Sequence, residues 1–227
     1  MARLAYVAPD GDVTDRIRQR RGGKLTALDG VLLHSPPFAD GWNGMLGAVR
    51  GASTLPADIR ELAILRVASR NGADNEWVAH EPLARQAGLG DEQIAAIRVS
   101  GGGSGGGRGG AGGGLSPAQW AALAYADAMT VHVTVPDQVF DAVRAHFGEQ
   151  ELLELTVTVA AYNMVSRVLV ALLVSPGEDP FGAAVSPGRE LRSLIWPTVC
   201  CSCTPILVPS RQSSSTTGTT TSTARPG

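Results

Sequence analysis

A histidine and a glutamate in the stretch NGADNEWVAH, residues 71–80, have the types and spacing that proton transfer needs. Glu76 and His80 stand four residues apart, so on a helix both side chains lie on one face and can meet. A carboxylate that bonds one imidazole nitrogen fixes the tautomer of the ring and leaves the other nitrogen to move protons. The spacing therefore indicates an acid/base pair in which His80 is the proton carrier.

The same residues also have an ordinary structural interpretation. An exposed pair at this spacing contributes only about 0.2–0.5 kcal/mol to a helix. Glu61, a further candidate, stands next to Arg60 and three residues after Asp58 in a predicted helix, and such charged residues usually face water. Trp77 is typical of a core residue. The residues alone leave the catalytic and the structural interpretations open.

The positions of the cysteines and histidines indicate whether thiol or metal chemistry is possible. The three cysteines, Cys200, Cys201 and Cys203, lie near the end of the chain, so residues 1–199 carry neither a thiolate nucleophile nor a cysteine metal site. The other histidines are far apart and show no ligand spacing. We expect no metal and no cofactor.

The charge balance excludes some partners. With 19 basic and 21 acidic residues the net charge is −2, and no basic run with interleaved aromatics occurs, so we expect no nucleic acid and no membrane as partner. Asp10 and Asp12 interrupt the apolar N-terminal stretch before the core of a secretion signal forms. A cytoplasmic protein is the expectation.

Composition divides the chain into a helical domain and flanking segments. Residues 1–11 form an expected N-terminal extension, and residues 12–180 carry the apolar patterning of one domain. Residues 101–114 hold glycine at eleven of fourteen positions, which predicts a flexible insertion. Residues 186–227 end in a Ser/Thr-rich run that predicts a disordered tail.

The periodicity within the domain is helical. The residues Ser116, Pro117 and Gln119 form a capping box with proline at the first helical position, predicting a helix to about Thr130. The most apolar stretch, from Glu149 to Val174, contains charged and amide residues and is too long for a strand, so it predicts a buried helix. No strand alternation appears elsewhere, and the fold class is all-α.

Two long stretches resemble a known family. Residues 55–98 contain RELAILRVA followed by a glycine and then by EW and H, and this motif resembles the carboxymuconolactone decarboxylase-like family. Residues 115–174 are similar to the second half of the same domain. The resemblance implies an alkylhydroperoxidase D-like helical domain of about six to eight helices. It also implies a homotrimer or homohexamer with active sites near subunit contacts.

The resemblance distinguishes two branches. The peroxidase branch has a glutamate, twelve residues later the first cysteine of a CxxC, and a histidine four residues after the second cysteine. Glu61 and His80 match the glutamate and the histidine, whereas Ala73 and Glu76 stand at the cysteine positions. Because thiol peroxidase chemistry requires a thiolate, the sequence is closer to the decarboxylase branch that lacks the CxxC.

The resemblance implies a lyase of aromatic-compound catabolism that decarboxylates a small lactone or cyclic acid without a cofactor. It implies that His80 carries the proton and that Glu76 or Glu61 orients it. Candidates for contact with the substrate are Arg66, Arg70, Arg85 and Trp77. Two alternatives remain at this point: a peroxiredoxin-type oxidoreductase, and a non-catalytic oligomeric binding protein in which Glu76 and His80 are exposed.

Overall fold

The computed structural model describes residues 2–98 and 114–182. Most of the expected glycine-rich insertion and the whole expected tail, 186–227, lie outside the described residues. All regular structure within these two ranges is helical, which confirms the all-α prediction. The elements are α1 (Asp12–Arg20), α2 (Ala27–Leu32), α3 (Pro36–Gly51), α4 (Ala57–Asn71), α5 (Asp74–Gln86), α6 (Asp91–Arg98), α7 (Pro117–Asp127), a π-helix (Ala128–His132), α8 (Asp137–Arg144) and α9 (Glu149–Leu172).

The central element is α4, which packs against α5, α6, α7 and α9. Because neighbours surround it, α4 is apolar on nearly every side instead of along one stripe. The core cluster includes its Leu62, Ile64, Leu65 and Val67, each 0% exposed. Two charged residues, Glu61 and Arg66, are buried in the same helix. Buried charges need partners, so these two positions direct attention to what they contact.

The turn between α4 and α5 sets the antiparallel packing of these two helices. Helix α4 ends at Gly72, whose φ of 63° lies in the left-handed region that glycine adopts without strain. Helix α5 begins two residues later and continues through Pro82, although proline removes one backbone hydrogen bond there. The consequence is that the middle of α5 lies beside the first turns of α4.

Glu154 of α9 fixes the loop that leads into α4. Its Oε2 accepts hydrogen bonds from the hydroxyls of Ser53 and Thr54 and from the backbone N–H groups of Thr54 and Leu55. Hydrogen bonds from Gln150 and from this loop lower the pKa of Glu154 to about 2, against the opposing effect of burial. This carboxylate therefore attaches the start of α4 to α9.

Helix α9 was expected to be a buried helix, and half of its most apolar window is buried in the domain. Among the helices that the structure describes, it alone is long and apolar enough to cross a membrane by length and composition. A core helix meets the same criterion. Its inward residues include Leu155, Val159, Tyr162 and Val165, each at most 2% exposed.

The end of α7 differs from the prediction. The sequence predicted an α-helix to about Thr130, but α7 ends at Asp127 and the next five residues form a π-helix. Thr130 accepts a hydrogen bond from the side-chain amide of Asn163 on α9, and Val133 follows with a φ of 66°. The helix propensities of these residues indicate neither the wider π-helical turn nor the tertiary contact with α9. The predicted capping box at Ser116 and Gln119 is confirmed.

Residues 2–10, predicted to be an extension, contact the domain at several points. Arg3 N–H donates to the carbonyl of Leu172, and Val7 N–H donates to the carbonyl of Gly30. A side chain at position 30 would collide with the ring of Phe181, so glycine permits this close approach. The N-terminal segment and the segment after α9 thus meet over α2.

Candidate active site

Four buried polar side chains meet where α4, α5 and α9 pack together. His80 Nδ1 lies 2.7 Å from Glu61 Oε2, and its Nε2 lies 3.1 Å from the Tyr162 hydroxyl. Glu76 Oε2 lies 3.7 Å from the same Nε2. All four residues are buried, and the most accessible, Glu76, is only 7% exposed. The imidazole is therefore flanked by a carboxylate on one nitrogen and by a phenol and a second carboxyl on the other.

Hydrogen bonding assigns the tautomer of His80. An ionised carboxylate only accepts hydrogen bonds, so Nδ1 carries a proton and donates it to Glu61. In the neutral ring Nε2 then accepts from the Tyr162 hydroxyl, which approaches from a ring set edge-on at 90°. Glu61 thus orients the imidazole and leaves Nε2 as the nitrogen without a proton in the neutral ring.

Glu61 is held in its ionised form. Burial acts to raise the pKa of this carboxyl, but the hydrogen bond of His80 and the charge that His80 carries when its ring is protonated outweigh it, with help from Arg60, and the pKa lies below its usual value. Arg60 Nε lies 3.4 Å from Oε1. Glu61 is therefore the fixed negative charge of the cluster.

Glu76 behaves in the opposite way. Burial raises its pKa, and the nearby negative charge of Glu61 acts in the same direction, whereas the positive charges of His80, Arg50 and Arg21 only partly oppose this effect. The carboxyl group is consequently biased towards its protonated form. A protonated carboxylic acid next to an imidazole is a proton donor, and the pKa values of the two glutamates are shifted in opposite directions around one histidine.

Burial also raises the pKa of the Tyr162 phenol, so this hydroxyl stays neutral and serves as a hydrogen-bond donor. Taken with the states of Glu61 and Glu76, this gives a relay that can hold and move one proton in a place that excludes water. Among the residues the structure describes, no group of three or more His, Cys, Asp or Glu is placed to hold a metal ion.

Part of the chain is similar to a known family. Residues 36–128, from the start of α3 to the first residue of the π-helix, match the model of the carboxymuconolactone decarboxylase family. The match covers less than half of the chain. It contains Glu61, Glu76 and His80, and it ends before Tyr162. No curated protein matches the sequence.

Solved structures show the same fold. The alkylhydroperoxidase AhpD core of a peroxidase-related protein from Ralstonia eutropha JMP134 is 19% identical, with a TM-score of 0.62 over 78% of this chain and 93% of that one. A peroxidase-related protein from Silicibacter sp. TM1040 is also 19% identical, with a TM-score of 0.61 over 77% and 91%. The debrominase Bmp8 is 16% identical, with a TM-score of 0.57 over 74% and 86%. The fold is therefore alkylhydroperoxidase D-like, as the resemblance implied.

The structure changes the interpretation of two predicted residues in the family segment. Glu61 was given a solvent-facing position as its ordinary interpretation, and this is wrong because the side chain is buried against His80. The i,i+4 partner Glu76 is near His80, but Glu61 makes the shorter contact with the imidazole. The pairing of Glu61 with His80 results from the packing of α5 on α4. Residue spacing along a single helix cannot predict a contact between two helices.

Tyr162 was not identified from the sequence. It lies in the apolar run of α9, outside the segment matched by the family model. Its chemistry could have indicated a role in the cluster. A buried tyrosine hydroxyl needs a polar partner, so a tyrosine within a predicted core helix indicates a polar group on a neighbouring element.

Arg66 and Arg70, both candidates for substrate contact, bind Asp127 at the end of α7. Arg66 contacts the two carboxylate oxygens at 2.6 and 2.7 Å, and Arg70 does so at 2.7 and 2.6 Å. Arg66 also donates to the carbonyl of Ile97 at 2.8 Å. These contacts join α4 to α6 and α7, so the structure gives both arginines a position that stabilises the fold.

Arg85 and Trp77 lie on the other side of α5. Arg85 is exposed and pairs with Glu81 and Asp91. Trp77 is buried, its Nε1 donates to Glu81 at 2.7 Å, and the guanidinium of Arg98 lies 4.3 Å from the ring centroid. The core interpretation of Trp77 agrees with this position, and contact of either residue with a substrate stays a prediction.

Two surface grooves lie apart from the cluster. One, of about 570 Å³, is formed by α8, α9 and the turn between them. The other, of about 230 Å³, lies between α3 and α9. Its lining includes Thr158, one helical turn before Tyr162, but neither groove is lined by Glu61, Glu76, His80 or Tyr162.

Replacing Asp127 with asparagine should lower the free energy of unfolding at pH 7 by about 1–3 kcal/mol, because two arginines lose a charged partner. Burial acts to raise the pKa of Asp127, but the hydrogen bonds of Arg70 and Arg66 outweigh it and lower the pKa. This contribution is therefore complete above the usual aspartate pKa and declines as the pH falls through the folded-state pKa. Urea unfolding across pH measures it, with the exposed Asp141→Asn as control. Equal losses in both variants would contradict the assignment.

Proposed function

We propose that the protein is a cofactor-free lyase of the carboxymuconolactone decarboxylase type, acting on a small carboxylated lactone or cyclic carboxylic acid. The observation that carries the proposal is the buried cluster around His80, in which Glu61 lies 2.7 Å from one ring nitrogen and Tyr162 and Glu76 lie 3.1 and 3.7 Å from the other. The environments of the two glutamates also shift their carboxyl pKa values in opposite directions, as expected for a base and an acid. The family match and the fold are consistent with this chemistry.

The reaction itself needs an electron sink and a proton. The bond between the ring carbon and the carboxylate breaks, its electron pair moves towards the conjugated carbonyl as an enolate, and CO₂ leaves. One proton then adds to a carbon of this enolate, so the substrate anion plus one proton gives product and CO₂. Neutral hydrogen-bond donors near the enolate stabilise the charge that develops.

The residues of the cluster supply these elements. His80 is the proton carrier through Nε2, and Glu61 holds Nδ1–H and keeps the ring in one tautomer. Tyr162 donates a hydrogen bond at Nε2, and Glu76, whose pKa is raised by burial, is the acid that restores the proton. The transfer then needs no group beyond these four side chains and solvent.

The two alternatives fit the site less well. Thiol peroxidase chemistry is suggested by the names of the fold relatives, but Ala73 and Glu76 stand at the positions of the two thiols. A binding protein without activity was expected to leave Glu76 and His80 exposed, and both are buried. Assembly into a homotrimer or homohexamer belongs to the proposal, and the exposed apolar side chains Leu153 and Val157 on α9 support contact between copies.

A full-length variant with Cys200, Cys201 and Cys203 replaced by serine should keep the lyase turnover of the wild type, because no thiol takes part in the proposed step. The assay is release of CO₂ from a panel of carboxylated unsaturated lactones and cyclic β-oxo acids. Products formed in D₂O should carry one solvent deuterium at a carbon of the enolate that the loss of CO₂ generates.

The same proteins separate the lyase from a thiol peroxidase. Peroxide consumption that is present in the wild type and lost in the serine variant, together with no CO₂ release from any acid of the panel, would overturn the lyase proposal.

A further inference from the structure

The hydroxyl of Ser166 on α9 is a buried polar group that the proton relay does not use. The residue is 0% exposed, and its Oγ has no hydrogen-bond partner within the part of the chain that the structure describes. A buried hydroxyl without a partner is costly, and a bound water is the usual partner where the protein supplies none. Ser166 Oγ therefore indicates a site for a small polar ligand.

The carboxyl group of Glu76 also lacks a hydrogen bond. Its contact with His80 Nε2, at 3.7 Å, is longer than a hydrogen bond, and no shorter polar contact of this carboxyl occurs within residues 2–98 and 114–182. An acid buried to 7% exposure is normally hydrogen-bonded. Glu76 and Ser166 are thus two buried groups that each need a partner.

Helices α5 and α9, which carry these two residues, run in opposite directions. His80 of α5 contacts Tyr162 of α9. Asn75, near the start of α5, donates its side-chain amide to the carbonyls of Val174 and Ser175, just after the end of α9. The direction from His80 towards the start of α5 is therefore also the direction from Tyr162 towards the end of α9.

Glu76 and Ser166 lie one helical turn from the contact between His80 and Tyr162, and both are displaced in that same direction. Each stands four residues from its neighbour in the pair, which is about 6 Å along the helix and on the same face. The long tyrosine side chain bridges the two helices, whereas serine is much shorter and makes no hydrogen bond to Glu76. A water molecule, which bonds to two to four polar groups, fits between two such side chains.

We propose that one water molecule bridges Ser166 Oγ and the Glu76 carboxyl, and that Ser166 acts through it as a positioning residue of the proton relay. The role in the relay rests on the lyase function proposed above, whereas the water site is argued from burial and helix packing alone. Burial of the cluster excludes bulk solvent, but a single water held by polar groups is a common part of a protein interior.

The bridging water affects the two forms of Glu76 to different extents. It donates a hydrogen bond to the carboxylate and accepts one from the protonated acid, and the bond to the charged form is the stronger of the two. The water therefore favours ionisation. Through it, Ser166 orients the acid beside His80 and makes Glu76 a better proton donor.

Infrared spectroscopy of the full chain tests the site, because a protonated carboxyl group has its own C=O stretching band. The band of Glu76 is the one that disappears in Glu76→Gln. In Ser166→Ala this band should move to higher frequency as the acid loses a hydrogen bond, and it should persist to higher pH. The expected change is about three- to tenfold weaker ionisation of Glu76, the effect of one hydrogen bond.

The matched control is Thr158→Val. Thr158 lies one turn on the other side of Tyr162, is 1% exposed, and donates its hydroxyl to the carbonyl of Glu154 at 2.7 Å. The control thus removes a buried hydroxyl from the same helix at a different height, so the Glu76 band should not change. Circular dichroism melting verifies that each variant is folded. Both variants keep the charged and titratable groups around Glu76, which are His80, Glu61, Tyr162, Arg50 and Arg21.

A crystal structure that shows ordered water should place one within about 3.2 Å of both Ser166 Oγ and a carboxyl oxygen of Glu76. The proposal is overturned if the Glu76 band is the same in Ser166→Ala and wild type, or if Thr158→Val shifts it equally. It is also overturned if Ser166 Oγ bonds directly to Glu76 or to the carbonyl of Tyr162. No substrate enters these measurements, so a lack of CO₂ release refutes the proposed function and leaves the water site standing.

Discussion

Replacement of His80 by asparagine should reduce the lyase rate about 10²- to 10⁴-fold, the usual contribution of a positioned general acid/base. The asparagine amide can still donate a hydrogen bond towards Glu61, but it cannot accept and release a proton at the place of Nε2. The measurement is CO₂ release at saturating substrate across pH 5–9.

Two further variants separate catalysis from packing. Tyr162→Phe removes only the hydroxyl that bonds Nε2, so it should reduce the rate less than His80→Asn while the folded state persists. The exposed His132→Asn should match the wild type. An unchanged rate in a folded His80→Asn protein would refute the role of His80, whereas an equal loss in His132→Asn would point to a general effect on the protein.

The sequence predicted the all-α architecture because periodicity and capping are local signals. Residues a few positions apart form the capping box at Ser116 and Gln119 and the motif around His80. Such short-range features can be recognised in the sequence. The π-helix that follows α7 was missed because it is coupled to a hydrogen bond with Asn163, distant in sequence.

The site was predicted only in part for the same reason. His80 and Glu76 were found from their spacing along one helix, but the choice of Glu61 as the orienting group follows from the packing of α4 on α5. Tyr162 lies 82 positions from His80, so only the tertiary fold joins them. Arg66 was a reasonable candidate for anion binding by type, and only the structure shows that it binds Asp127.

The two glutamates at His80 should respond in opposite directions to the same isosteric substitution. Glu61→Gln should lower the free energy of unfolding at pH 7 by about 1–3 kcal/mol, because the imidazole loses a charged hydrogen-bond partner. It should also reduce the rate roughly 10²- to 10⁴-fold, since a neutral amide no longer enforces one tautomer. Glu76→Gln should instead raise the stability at pH 7, because it replaces a buried carboxyl by a group that never ionises.

The pKa shifts of the two glutamates predict how the stability difference between each variant and the wild type changes with pH. The pKa of Glu61 is lowered by folding, so its contribution is complete above the usual value of 4.5 and declines as the pH falls through the folded-state pKa. The pKa of Glu76 is raised, so the folded protein binds more protons than the unfolded chain above pH 4.5, and stability declines as the pH rises. The increase in the free energy of unfolding that Glu76→Gln causes should therefore become larger from pH 4 to pH 7. The decrease that Glu61→Gln causes should also become larger over this range.

Urea unfolding of wild type and both variants at pH 4, 5.5 and 7 measures these differences, and turnover at pH 7 accompanies each stability value. Because the two carboxyl groups share one imidazole, their titrations are coupled, and the double variant reports how much of each effect depends on the other. If Glu76→Gln were more stable yet inactive, the buried acid would be retained for proton transfer at the expense of stability. If both variants lost stability alike with no change in rate, the cluster would be a structural hydrogen-bond network, and the division into base and acid would be refuted.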